Sequence, residues 1–179
     1  MRKAQLEVAG QSILRRVLDT LGPLAAERLV LADQALDVED ARVLVDAEAH
    51  AGVLPALEHG LGEATSQACL IVAADMPFVS RAAFSYLLDL LARAEIDVVV
   101  PRVEGVLQPM HAAIRRQPTL EAVRTALGAG ESRLFRVLET LPRREVTEVE
   151  LRALDPDLRT LFNVNTPDDL AAAHHLCRE

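Results

Sequence analysis

Short apolar, strand-like runs alternate with longer stretches of helical period along most of this chain. In "SILRRVLDTL" the residues Ile13, Leu14, Val17, Leu18 and Leu21 share one helical face, and Gly22-Pro23 ends it. The runs "RLVLAD" and "ARVLVD" are brief, apolar and strand-like, and each closes on an aspartate, Asp33 and Asp46. "VLPALEHGL" predicts a short helix. "ACLIVAAD" is continuously apolar up to Asp75, the pattern of a strand covered on both faces. A helix over "SRAAFSYLLDLLARA" follows, with Ser80 as its N-cap. "DVVVP" predicts a further strand, "EGV" a turn, and "LQPMHAAI" the strand returning from it. Two helices, "TLEAVRTALGAG" and "ESRLFRVLETL", precede a strand-like "REVTEV" and a last helix opening at "NTPDDL".

This alternation predicts an α/β fold: one domain over residues 1–179 with a mainly parallel sheet and helices on both faces. There is no internal repeat, low-complexity tract or linker. In sheets of this type ligands bind beyond the carboxyl ends of the strands. Asp33, Asp46 and Asp75 all stand at predicted strand ends and are expected along that edge.

The bulk numbers narrow the chemistry. At 179 residues the chain can bury a full core, and 50% hydrophobic residues exclude disorder. No apolar run approaches the roughly 20 residues of a membrane span, and "MRKAQLEVAG" lacks the apolar centre of a secretory signal. Cys69 and Cys177 have no neighbour at metal-ligand spacing and read as free thiols of a reducing cytoplasm. A formal charge of -8, with aromatics at 3%, argues against a nucleic-acid footprint or base-stacking platform. Small-molecule chemistry is the better starting point, and nothing in the sequence calls for more than a monomer.

Four places carry candidate chemistry. Asp75, followed at once by Met76-Pro77, has two readings: a turn former bonding nearby amides, or a ligand for Mg²⁺, which takes one or two carboxylates plus substrate phosphates. In "LFNVNTPDDL" a helix start accounts for Thr166 as N-cap, Pro167 at the first position and Asp169 three residues after the cap. It leaves Asn163 and Asn165 unexplained, two amides on the same strand face, just before a helix, that suit a ribose or phosphate. Gln108-Pro109 is placed at the start of a strand, where proline is tolerated. His111 reads as a half-buried strand residue rather than a catalytic base, and His174-His175 as surface or packing.

Taken together and in order, these stretches resemble the molybdenum cofactor guanylyltransferases (the MobA family) of the wider nucleotidyltransferase superfamily. "VAADMPFV" is similar to the family's strand ending in Asp-x-Pro, and "QPMHAAI" to its Gln/His-Pro strand. "GESRLFRVL" is similar to its Gly-Glu-x-Arg helix start, "FNVNTPDDL" to its Asn-x-Asn-Thr-Pro signature, and "KAQLEVAGQSILRRV" to the segment from its lysine into the first helix. The resemblance implies a Rossmann-like three-layer α/β/α fold. It implies GMP transfer from GTP to the phosphate of molybdopterin, with pyrophosphate released and Mg²⁺ required. It also implies contacts with molybdopterin-handling proteins. Residue by residue, it makes Lys3 and Asp75 catalytic, with Asp75 holding Mg²⁺ and Lys3 on the nucleotide phosphates. Asp33, near the base, and Asp46 join the nucleotide pocket, while Gln108, Asn163 and Asn165 contact the pterin product or the nucleotide. Transfer from CTP, another small-molecule acceptor, and a non-catalytic nucleotide- or pterin-binding homologue stand as alternatives.

Two departures from the family pattern stand out. "GVLPA", Gly52 to Ala56, replaces the family's Gly-Pro-Leu-x-Gly. The chain also opens where the family's first strand and glycine-rich phosphate loop have ended. The expectation is that roughly 15–20 residues lie upstream of Met1, the alternative being a shortened chain that has lost catalysis.

Overall fold

Two apolar layers, one on each side of a five-stranded sheet, organise the chain. A computed structural model describes residues 6–45 and 52–177. The elements in order are strands β1 (Glu7–Val8) and β2 (Gln11–Ser12), helix α1 (Ile13–Leu21), strands β3 (Leu29–Ala32) and β4 (Arg42–Val45), helix α2 (Val53–Glu63), strand β5 (Ala68–Val72) and helix α3 (Arg81–Arg93). Strands β6 (Val98–Val103), β7 (Val106–Leu107) and β8 (His111–Arg115) follow, then helices α4 (Arg116–Gly128) and α5 (Leu134–Glu139), strand β9 (Arg143–Thr147), and helices α6 (Glu148–Arg152) and α7 (Pro167–Leu176).

The larger sheet has the order β5-β8-β6, with β7 on β6 and β9 pairing β6 in parallel. Strand β8 runs antiparallel to both β5 and β6. Strands β5, β6 and β9 therefore share one direction, as a mainly parallel sheet requires, and β8 is the reversed strand between two of them. The reversal follows from the short Glu104-Gly105 turn and the brief β7: a tight connection can only return antiparallel. Strands β3 and β4 form a separate parallel pair.

Side-chain alternation sorts the sheet's two faces. Val99 of β6 and Ala113 of β8 point into one layer with Val17 of α1, Phe84 and Leu87 of α3, Leu151 of α6 and Ala173 of α7. Val98, Val100, Ala112 and Ile114 point into the other, against Leu54 and Leu57 of α2, Leu120 and Val123 of α4, and Leu138 of α5. This is the three-layer α/β/α arrangement. Fully buried Phe84 and Leu87 are central to the first layer, and truncating either to Ala should cost about 3–5 kcal/mol by cavity formation.

Local signals set the boundaries. Ser12 and Ser80 cap α1 and α3 by accepting from the backbone N–H of Arg15 and Ala83. Thr166 and Asp169 make a reciprocal capping box with Pro167 at the first turn of α7. Gly52, at φ 105°, leads into α2, so a glycine is required there although the rest of the loop pattern has changed. The β3–β4 pair is tied to the main sheet by Glu27. One carboxylate oxygen accepts from Thr65 N–H at 2.7 Å, Ser66 N–H at 2.8 Å and the Thr65 hydroxyl at 2.9 Å.

Three local expectations are corrected. Phe162–Asn165 is extended but joins no strand ladder, because its partner is a turn. Gln108-Pro109 lies between β7 and β8 rather than within a strand, as suits a residue with no N–H for a ladder. "REVTEV" does not stay extended, since Thr147 and Glu150 form a second capping box that starts α6.

Candidate functional site

The carboxyl end of β5 is where the candidate residues meet. After Val72, the last ladder residue opposite His111, the chain passes through Ala73 and Ala74 and turns at Asp75. Met76 and Val79 drop back into the core and anchor the turn on its far side, and Ser80 opens α3 at once. A strand ending on one carboxylate and stopping abruptly is thus a turn held at both ends by buried side chains. Asp75 itself is half-buried.

Several contacts fix this turn in place. The Arg16 guanidinium, projecting from α1, donates to the Pro77 carbonyl at 3.1 Å and lies 5.9 Å from the centre of the Phe78 ring. Ser80 N–H donates to the hydroxyl of buried Thr160 at 2.9 Å. Phe78 meets Phe162 edge to face, with ring centres 5.7 Å apart. Val164 N–H donates to the Asp75 carbonyl at 2.9 Å. Val164 is fully buried while Asn163 and Asn165 on either side are exposed, so both amides emerge beside Asp75. Asp169 holds the next step of the chain by accepting from Asn165 N–H at 2.9 Å and Thr166 N–H at 2.8 Å.

On the opposite wall, Gln108 is held by its backbone. Its N–H donates to the Pro101 carbonyl at 2.9 Å and its carbonyl accepts from His111 N–H at 2.9 Å. Between the walls is a pocket of about 230 Å³, lined by Asp75, Gln108, Asn163 and Asn165 together with Ala73, Met76, Pro109, Met110 and His111. Four of the residues singled out from sequence are therefore brought together. Asp33 follows the end of β3, is exposed, and does not line this pocket. Lys3 and Asp46 lie outside the described residues.

His111 differs from its sequence reading. It is fully buried, not half-buried, because β8 is an interior strand, and its ring packs on Phe84 at 4.0 Å between centres. Among the described residues neither ring nitrogen has a hydrogen-bond partner. Burial depresses its pKa to about 3, so the ring is neutral at working pH. Sequence reasoning also passed over Ala73, Met76 and Met110. Their signal was proximity alone: Ala73 and Met76 lie within two residues of Asp75, and Met110 within two of Gln108.

Among the described residues the wall can offer one carboxylate, three side-chain amides and thioether surface, with no Lys or Arg. Among the described residues no group of three or more His, Cys, Asp or Glu could cage a metal. That donor set suits an oxygen-preferring ion shared with a phosphorylated ligand, not an all-protein site. No described helix is long and apolar enough to cross a membrane.

Comparison with known proteins places these features. The family model described as MobA-like NTP transferase domain matches residues 1–146. A probable molybdenum cofactor guanylyltransferase of Methanosarcina acetivorans is 31% identical over 95% of this chain and 81% of its own length. The molybdenum cofactor guanylyltransferase of Desulfosudis oleivorans is 30% identical over 96% of this chain and 85% of its own. Among solved structures, the molybdopterin-guanine dinucleotide biosynthesis protein A of Archaeoglobus fulgidus superposes with a TM-score of 0.84 at 23% identity, covering 99% of this chain and 91% of that one. That last likeness bears on the fold alone.

Proposed function

This chain belongs to the MobA-like NTP transferase family, and from that premise we propose that it transfers GMP from GTP to the terminal phosphate of molybdopterin, releasing pyrophosphate. The observation that carries the reading is the convergence of Asp75, Gln108, Asn163 and Asn165 on one pocket at the carboxyl end of β5. In the proposed reaction a phosphate oxygen of the acceptor forms a bond to the α-phosphorus of GTP. The bond from that phosphorus to the bridging oxygen of the β-phosphate breaks, and pyrophosphate departs with the electron pair. Both reactants can be held in line, so no covalent enzyme intermediate is needed.

Asp75 is the hard-oxygen donor suited to Mg²⁺, with the remaining positions going to water and substrate phosphates. The ion's contribution when bound is to neutralise charge that gathers on the phosphate oxygens. The protein's own part is positioning. Asn163, Asn165 and Gln108 offer both donors and acceptors to the polar edge of the acceptor. Lys3 is assigned to the triphosphate, and Asp33 and Asp46 to the nucleoside side, on family resemblance. The cytoplasm, where Cys69 and Cys177 stay reduced, is the proposed compartment, and a monomer the proposed working unit.

The test is pyrophosphate release by the 179-residue chain with Mg-GTP and molybdopterin, against GTP alone and against CTP. Release that needs both GTP and molybdopterin supports the reading. Equal or faster release with CTP makes it a cytidylyltransferase, and binding of both substrates without release makes it a non-catalytic homologue.

A further inference from the structure

Resting on that reading, we propose that His111 is a ligand-binding residue of the pocket: a neutral imidazole whose ring nitrogens take their hydrogen-bond partner from the heteroaromatic ring of the acceptor.

Three observations carry this. His111 is fully buried, yet both ring nitrogens lack a partner among the described residues. A buried polar atom without a partner is costly, and native structures keep few of them without a reason. The surroundings make the choice of residue odder still. His111 shares a face of β8 with Ala113, in an otherwise apolar layer, and one side of its ring is covered by Phe84 at 4.0 Å. A phenylalanine there would keep the ring contact and leave nothing unpaired.

The second observation is the direction in which a partner can come. His111 is itself part of the pocket wall, next to Gln108, whose carbonyl already accepts the His111 backbone N–H. The pocket is a polar space whose wall includes His111, so a small rotation of the ring toward it is a route to satisfaction.

The third is the character of the pocket. Among the described residues its wall holds three amides, one carboxylate and the imidazole, and no cationic side chain. A triphosphate would meet amide donors there but no described cation to balance its charge. A flat ring bearing amide-like N–H and C=O groups finds complementary partners, with Met76 and Met110 supplying polarizable surface for its faces. A neutral imidazole is both donor and acceptor, so it can read either kind of edge.

The experiment compares wild type, His111→Phe and His111→Gln. Thermal unfolding, the KM for each substrate and kcat are measured, together with the ¹⁵N resonances of the His111 ring on titration with molybdopterin alone. The expectation is that His111→Phe is at least as stable as wild type while the molybdopterin KM rises about tenfold, the scale of one lost hydrogen bond. The GTP KM should stay within about twofold, Gln should recover part of the loss, and the ring signals should move with molybdopterin. An unchanged molybdopterin KM in active His111→Phe, or ring signals unmoved by molybdopterin, overturns the assignment to His111 while leaving the transfer reading intact. A wild-type chain that shows no transfer but whose His111 signals shift with molybdopterin separates the two: the reaction is then wrong and the contact right.

Discussion

The backbone N–H of Val164 donates to the backbone carbonyl of Asp75 at 2.9 Å, joining the turn after β5 to the segment before α7. One bond of this kind sets the spacing of three functional candidates, because Asn163 and Asn165 flank the donor and the Asp75 carboxylate hangs from the acceptor residue. It uses main-chain atoms only, so this spacing does not depend on the three side chains.

Replacing Asp75 by Asn should therefore separate fold from chemistry. The main-chain bond to Val164 survives, and the melting temperature is expected to stay within a few degrees of wild type. Turnover should fall at least about a hundredfold, comparable to removing one group that stabilises transition-state charge. Added Mg²⁺ should not restore it. Retention of near-normal kcat in a folded Asp75→Asn sample would remove the carboxylate from the mechanism.

The aromatic pair Phe78–Phe162 braces the same junction from the side. A double-mutant cycle over Phe78→Leu and Phe162→Leu should give a coupling of about 1 kcal/mol in stability, as expected for an edge-to-face pair. Because Phe162 precedes Asn163, each single variant is expected to raise the molybdopterin KM more than the GTP KM. Equal effects on the two would mean that the pair steadies the whole domain and not this wall.

Much of this arrangement was legible because it rests on local chemistry. Ser80 and Thr166 announce α3 and α7 by side chains that bond the first turn, and that bond needs no tertiary context. Asp75, Gln108, Asn163 and Asn165 could be picked out because polar residues interrupt apolar runs at those points. What was not legible depends on partners distant in sequence. The burial of His111 follows from β8 lying between β5 and β6, an order that periodicity alone does not reveal. The extended "FNVN" reads as a strand until its bond to Asp75 is known, since alternation describes any segment with one face covered. Helix α6 is a different case: Thr147-x-x-Glu150 is a visible capping box, hidden only because it directly follows β-branched residues.

Asp169 shows how a helix cap can reach into a binding site. Its carboxylate accepts from Thr166 N–H, closing the box, and also from Asn165 N–H. Asp169→Ala should cost about 1 kcal/mol of stability, the usual scale for a lost cap. Freed backbone at Asn165 should in addition weaken acceptor binding severalfold. Thr166→Ala is the control, since it removes the other half of the box and leaves the Asn165 bond standing. Comparable stability losses with a KM effect confined to Asp169→Ala are the expected outcome of urea titrations and steady-state kinetics.

Glu27 carries a pH signature. The backbone N–H groups of Ser66 and Thr65 hold its carboxylate at a pKa of about 2, against an ordinary 4.5. A group depressed in the folded state contributes stability that is fully present above its unfolded value and fades as pH falls toward the folded one. The window is thus about pH 4.5 down to about 2. The side chain is partly exposed, so solvent screening keeps the contribution to about 1 kcal/mol. Glu27→Gln should flatten this part of the acid limb in urea midpoints measured against pH, while Glu27→Ala should lower the midpoint at neutral pH as well.

Lys3 offers the cleanest chemical test of the nucleotide side, because it is the one lysine in the chain. An amine-selective reagent can modify only Lys3 and the terminal amino group, which mass spectrometry distinguishes by fragment. With Lys3 against the triphosphate, Mg-GTP should slow its acetylation at least severalfold and molybdopterin alone should not. Lys3→Arg keeps the charge and should retain part of the activity, whereas Lys3→Ala should raise the GTP KM and lower kcat together, as loss of a contact made in the ground state and strengthened in the transition state requires. Acetylation at the same rate with and without Mg-GTP, under conditions where GTP is bound, would place the lysine away from the phosphates.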